Sequence, residues 1–214
     1  MTTPVLAVSG VRFTYSPDSN LLFDGLTHEF RAGTVTAVTG PSGCGKSTLL
    51  YLLGLMLRPD AGHVHLDGRR VSSDSDADRS RIRAATIGFV FQDAALDPAR
   101  TILDSVVEPA LYAGRPRVNA QARARELLDH LGIAARSDHR PGEISGGQAQ
   151  RVAVCRALIN DPAVMLADEP TGNLDRENAE GVLSALFDIG NERTVVIATH
   201  DPFVLERVDE VLAL

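Results

Sequence analysis

The sequence predicts an α/β fold: a parallel-sheet core with a helical block inserted between two of its strands. Two observations carry this. Four short runs are apolar almost from end to end: TVTAVTG (residues 34–40), TIGFVFQ (86–92), AVMLADE (163–169) and TVVIATH (194–200). Strands buried on both faces read this way, and such strands belong to parallel sheets covered by helices. Between the second and third runs, residues 93–160 turn mostly helical, with QARARELLDHLG (121–132) the clearest stretch.

The remaining elements follow in order. VLAVSGVRFTY (5–15) is rich in β-branched and aromatic residues and reads as a strand. The run at 34–40 feeds GPSGCGKST and then the helical stretch KSTLLYLLGLML (46–57). GHVHLDG (62–68) alternates and closes on Asp-Gly, the signal of a two-residue hairpin turn. SSDSDADRSR (72–81) is polar and reads as a surface loop leading into a short helix. The chain of 214 residues is expected to form one domain over 1–214, with a core at about 1–92 and 161–214 and a helical subdomain at about 93–160.

Composition narrows the function. A formal net charge of -7 argues against a nucleic-acid partner held by general electrostatics. Two cysteines, Cys44 and Cys155, make no disulfide framework and fit a reducing compartment. Cys155 is expected to pack against the core. The first ten residues lack the basic-then-apolar pattern of a signal peptide. The longest apolar run, LLYLLGLML (49–57), is about half of a membrane span. Any action at a membrane is therefore expected to pass through another chain.

Gly40-Pro41-Ser42-Gly43-Cys44-Gly45-Lys46-Ser47, followed by Thr48, fits the phosphate-loop pattern G-x-x-x-x-G-K-[ST] without a mismatch. Its glycines let backbone N–H groups wrap a phosphate, and the helix start adds the positive end of its dipole. Lys46 would reach the β- and γ-phosphates, and Ser47 would ligate Mg²⁺. Asp168 and Glu169 close the run at 163–169, where a carboxylate can hold Mg²⁺ and its neighbour can accept a proton from an attacking water. His200 closes the run at 194–200, and Gln92 the run at 86–92. If the four runs share one sheet edge, their polar ends converge on one nucleotide. Tyr15, after the first strand, could stack on adenine or be an ordinary strand aromatic. His63 and His65 alternate on one strand face without a third ligand and read as surface residues. EISGGQAQR (143–151) is a second glycine-rich helix start, for which one bound nucleotide gives no reason.

Together these stretches resemble the ATP-binding subunits of ABC transporters. The phosphate loop, the signature ISGGQAQR, the strand end VMLADEP, GNLD and His200 occur in that family's order and spacing along essentially the whole chain. The signature opens on Ile144 where the family usually has Leu. The resemblance implies a P-loop NTPase of ABC type: a parallel-sheet core, an antiparallel β subdomain and an inserted α-helical subdomain. It also implies ATP and Mg²⁺, and an ATP-dependent pair, either two copies or this chain with a related subunit. In that pair Ser145, Gly146, Gly147 and Gln148 of one chain would meet the γ-phosphate held by the other. Gln92 would sense Mg²⁺ and a membrane permease, Tyr15 would stack on adenine, and Asp175 would communicate across the pair. Glu169, His200 and Lys46 would carry catalysis, and Ser47, Gln92 and Asp168 the metal. The chain would sit at the cytoplasmic face of a membrane, held there by the permease.

RSRIRAATIGFVFQ and LADEPTGNLD are similar to the branch with lipoprotein-releasing, macrolide-efflux and cell-division ATPases. The stretch LDPARTI looks closer to peptide-importer ATPases. Two readings stay open: a subunit powering transport, and one giving mechanical signals to a membrane protein that controls a cell-wall enzyme. A small-molecule kinase would leave ISGGQ without a purpose.

Overall fold

The computed structural model describes residues 5–16, 21–190 and 193–214. Residues 1–4, part of the stretch read for a targeting signal, lie outside the described residues. In chain order the elements are β1 (Leu6–Phe13), β2 (Phe23–Phe30), β3 (Val35–Thr39), α1 (Lys46–Leu53), β4 (Ala61–Leu66) and β5 (Arg69–Arg70). There follow α2 (Asp76–Thr86), β6 (Ile87–Val90), α3 (Ile102–Tyr112), α4 (Arg117–His130) and α5 (Gly146–Leu158). The chain then returns to the core with β7 (Val164–Asp168), α6 (Arg176–Gly190), β8 (Thr194–Ala198), α7 (Pro202–Leu205) and β9 (Glu210–Ala213).

Two sheets result. One is four-stranded in the order β2-β1-β4-β5, and all its pairs are antiparallel. The other is five-stranded in the order β6-β7-β8-β3-β9, and every pair is parallel. The four apolar runs thus lie side by side, which puts their carboxyl ends on one edge.

Burial explains the continuous runs. Along β7 and β8, Met165, Ala167, Val195 and Ile197 pack with α3, α4 and α5 on one side. Val164, Leu166, Val196 and Ala198 pack with α1 and the antiparallel sheet on the other. Both faces are covered, so neither strand has a polar face.

Local chemistry sets the helix starts. Ser75 caps α2 through the Asp78 N–H, and Thr101 caps α3 through the Asp104 N–H. Each satisfies an amide that the helix itself leaves unpaired.

Several boundaries differ from the sequence reading. The helix expected over 46–57 stops at Leu53, where Met56 and Leu57 N–H groups both turn back to the Tyr51 carbonyl. The strand expected to end at Gln92 ends at Val90; the Phe91 carbonyl accepts a bond from Gln150 Nε2 instead of joining the ladder. Tyr15 lies two residues beyond β1. His63 and His65 are half-buried rather than surface residues, with ring centroids 6.2 Å apart. Cys155 is fully buried, and burial pushes its thiol up to about 12.

Candidate functional site: a phosphate loop at the sheet edge

The loop between β3 and α1 is built by close packing beneath it. Gly45 is the residue before α1, at φ 103, in the left-handed region, and a Cβ there would strike the Phe23 ring. Only glycine suits that position. Because Gly45 offers no side-chain oxygen, the start of α1 has no side-chain cap. The amides of Lys46, Ser47 and Thr48 therefore point into the loop without an intrahelical acceptor. Lys46 Nζ donates to the loop's own carbonyls, Gly40 at 2.9 Å and Pro41 at 3.2 Å. These bonds hold the ammonium at the mouth of the loop.

The ends of β7 and β8 face this loop. Ser47 Oγ donates to Asp168 Oδ1 at 2.9 Å, and the Tyr51 hydroxyl donates to Asp168 Oδ2 at 3.5 Å. Burial raises the Asp168 carboxyl above the usual carboxylate range; the Ser47 bond opposes this and the Glu169 charge adds to it. Glu169 follows at φ 43, a turn that carries its side chain away from β7. Its Oε1 lies 2.8 Å from His200 Nδ1, and its Oε2 accepts from the Thr199 hydroxyl at 3.4 Å. The carboxylate is 15% exposed and the imidazole 76%. His200 thus stands over the site while Glu169 is held within it.

A cleft of about 530 Å³ joins these parts, lined by Tyr15, Ser42, Lys46, Thr48, Gln92 and Glu169 among others. The Tyr15 ring is 61% exposed, and its hydroxyl is 2.9 Å from Thr48 Oγ1. Gln92 is exposed in the loop after β6, over the same cleft.

The second glycine-rich start lies elsewhere. Ser145 to Gln148 do not line the cleft of their own chain. Ser145 Oγ accepts from the Gln148 N–H at 3.3 Å, and Gln148 Oε1 accepts from the Ser145 N–H at 3.0 Å. This is a closed capping box. Ser145 and Gly146 are exposed, while Gly147 is buried against Asn178. The Cα sides of the two glycines therefore meet different surroundings: open space at Gly146 and the Asn178 side chain at Gly147. Asp175 is exposed at the start of α6 and accepts from the Asn178 N–H at 2.9 Å. Asn178 escaped the sequence reading, because nothing in its own neighbourhood marks it.

The chain matches the model of the family described as "ABC transporter" over residues 23–172. It is 44% identical to the lipoprotein-releasing system ATP-binding protein LolD of Paramagnetospirillum magneticum, over 94% of this chain and 90% of that protein. It is 42% identical to the macrolide export ATP-binding/permease protein MacB 1/2 of Paracoccus denitrificans, over 99% of this chain but 32% of that longer protein. Among solved structures, the ATP-binding cassette MJ0796, described as dimeric in a post-hydrolysis state with ADP and Pi, superposes with a TM-score of 0.88. That match covers 98% of this chain and 94% of MJ0796 at 31% identity. The chain belongs to the ABC transporter family: it is one of that family's ATPase cassettes, in the branch of lipoprotein-releasing and macrolide-export ATP-binding proteins.

Proposed function

We propose that two copies of this chain, or this chain and a related one, close around ATP, and that closing and opening drives a membrane permease. One observation supports this above the others. The phosphate loop, Asp168, Glu169 and His200 meet at one sheet edge, while a second glycine-rich helix start stands exposed outside that cleft. A γ-phosphate bound at the first start is available to the second start only on another chain.

The residues take roles by position. The loop amides from Gly40 to Thr48, Pro41 and Cys44 among the residues that shape it, hold the β- and γ-phosphates, with Lys46 as their cation. Tyr15 stacks on adenine, leaving Thr48. Glu169 accepts a proton from the attacking water or orients it, and His200 keeps that carboxylate aligned through its 2.8 Å contact. Ser145, with the amides of Gly146 and Gly147, meets the partner's γ-phosphate. Gln148 holds Ser145 in the capping box, and Asp175 lies on the facing edge.

The donor set also suits Mg²⁺. Ser47 Oγ, the buried Asp168 carboxylate and Gln92 are all oxygen donors, the kind that hard cation prefers. When bound there it would offset charge on the transferring phosphate.

The permease reading has its own support. No helix among the described residues is long and apolar enough to cross a membrane. A groove of about 420 Å³ runs between α2, β6, α3 and α5, lined by Met56, Phe89, Phe91 and Tyr112 among others. Met56 and Tyr112 are exposed large apolar side chains, and the groove begins beside the loop carrying Gln92. Seating the permease there would place this chain at the cytoplasmic face of the membrane. The test is phosphate release by the purified chain. ATP and Mg²⁺ should suffice, with stimulation by the permease in a bilayer. Release that needs an added acceptor, or that persists in EDTA, would overturn the proposal.

A further inference from the structure

We infer that Asn178 is a positioning residue for the reaction: it fastens the start of α5 to the start of α6, so that Ser145 and Asp175 meet a second chain as one edge. The inference rests on the shared-phosphate reading above. Asn178 does not line the nucleotide cleft. It sits half-buried in the first turn of α6, where its backbone N–H and its carboxamide Nδ2 both donate to the Asp175 carboxylate, at 2.9 to 3.0 Å. Its carboxamide oxygen faces the other way and accepts from Arg151 Nη2 of α5 at 3.3 Å.

The packing is as specific as the bonding. A methyl group on Gly147 would overlap the Asn178 side chain at its oxygen, its Cγ and its Cβ. At Gly146, on the outward side of the same turn, nothing lies within 4 Å. The two glycines therefore serve different ends. Gly146 leaves room for what approaches from outside, and Gly147 lets the Asn178 side chain come close against α5.

Arg151 adds a second reason. Its Nη1 bond to the Leu131 carbonyl is long, at 3.5 Å, and its Nε is buried with no partner among the described residues. Asn178 is thus the side chain that holds this guanidinium at the junction. Without it, a part-buried cation keeps one marginal bond, and the ends of both helices loosen together.

Looseness there matters only when a second chain docks. Ser145, Arg151, Asp175 and Asn178 do not line the nucleotide cleft of their own chain, so ATP binding to a single chain should not change. Docking requires Ser145 and Asp175 in register, and ordering them at that moment would weaken association. Losing a hydrogen bond to a charged group is a change of about tenfold in an equilibrium constant.

The experiment measures ATP-dependent dimerisation by light scattering over a range of protein concentration, in a Glu169→Gln background that retains ATP. Adding Asn178→Ala should weaken association about tenfold, with the affinity of the single chain for a fluorescent ATP analogue unchanged. Adding Gly147→Ala should also weaken it, through the overlap. Asn178→Gly should weaken association in the parent and add no further loss in the Gly147→Ala protein, because it removes the overlapped atoms together with the bonds they carried. Association unaffected by Asn178→Ala would overturn the inference. So would a loss of single-chain ATP affinity, which marks a general folding role, or an Asn178→Gly change that worsens the Gly147→Ala protein. A parent that binds ATP and stays monomeric would bring down the shared-phosphate reading first, and this inference with it.

Discussion

The starts of α1 and α5 are both rich in glycine, and they are finished differently. At α1 the cap position is Gly45, which gives the helix no side-chain oxygen, so the first amides are left to whatever binds in the loop. At α5 the cap is Ser145, whose hydroxyl and the Gln148 side chain close a capping box. The first start has no side-chain cap of its own, which leaves its amides open to water or a ligand. The second is already stable, and keeps only the Gly146 and Gly147 amides and the Ser145 hydroxyl proton to offer. The difference teaches a division of labour. On the proposed reading, the α1 start would supply affinity for the nucleotide, and the α5 start a weaker, conditional contact that registers whether the nucleotide is present.

The sharpest way to break this comparison is at Lys46. Its amino group bonds only to the carbonyls of its own loop among the described residues, so the fold does not rely on it. Lys46→Ala should lower phosphate release by about a hundredfold or more, as loss of a charge-stabilising donor does, with the melting temperature unchanged. Near-normal turnover in that protein would mean that α1 is not the phosphate site.

Ser145→Ala probes the other start. Losing an N-cap costs about 1 kcal/mol of stability, so the melting temperature should fall slightly. Turnover should fall as well, while the single chain binds ATP as before. A drop in single-chain ATP affinity would contradict the division of labour.

Chemical labelling sharpens the contrast from inside the loop. Cys44 is partly exposed beside Gly40, whereas Cys155 is buried with its thiol pushed up to about 12. A maleimide should therefore react at Cys44 alone, inhibit hydrolysis, and react more slowly in ATP. Labelling of Cys44 in a Cys155→Ser protein without loss of activity would show that the loop does not close on phosphate.

The smallest effect is a dependence on pH at the α6 start. The Asn178 backbone N–H, then its side chain, hold the Asp175 carboxyl below the usual carboxylate range. A group depressed in the folded state stabilises above its unfolded pKa of about 3.9 and loses that contribution as pH falls through the folded value. The melting temperatures of the wild type and Asp175→Ala should therefore differ at neutral pH and converge in acid. A constant difference across that range would show that the carboxylate charge plays no part.

Legibility in the sequence followed the range of each interaction. The phosphate loop is one contiguous stretch, and Asp168, Glu169 and His200 close runs that declare themselves by their own apolarity, so these residues could be read directly. β2 escaped because Asp24 and Gly25 interrupt its alternation on an edge strand. β9 and α7 are only four residues each, too short to show a period, and no element over α6 is predicted from the sequence. Gln92 reads as a strand end because its neighbours are apolar; the bond from Gln150 that takes the Phe91 carbonyl comes from 59 residues away. Asn178 was invisible for the same reason. Its partners on α5 are brought to it only by the packing of two helices.

The central claim is that the α5 start of one chain reads the phosphate held by the α1 start of another. The direct measurement is size-exclusion chromatography with light scattering on Glu169→Gln protein, at high protein concentration and low salt, in ATP and in ADP. Glu169→Gln removes the carboxylate charge proposed to accept the water's proton and leaves Asp168 in place, so ATP should bind and persist. The account predicts a dimer in ATP and a monomer in ADP, which lacks the γ-phosphate. It also predicts a monomer in ATP when Ser145→Arg is added. A Glu169→Gln protein that binds ATP tightly and remains monomeric would contradict it.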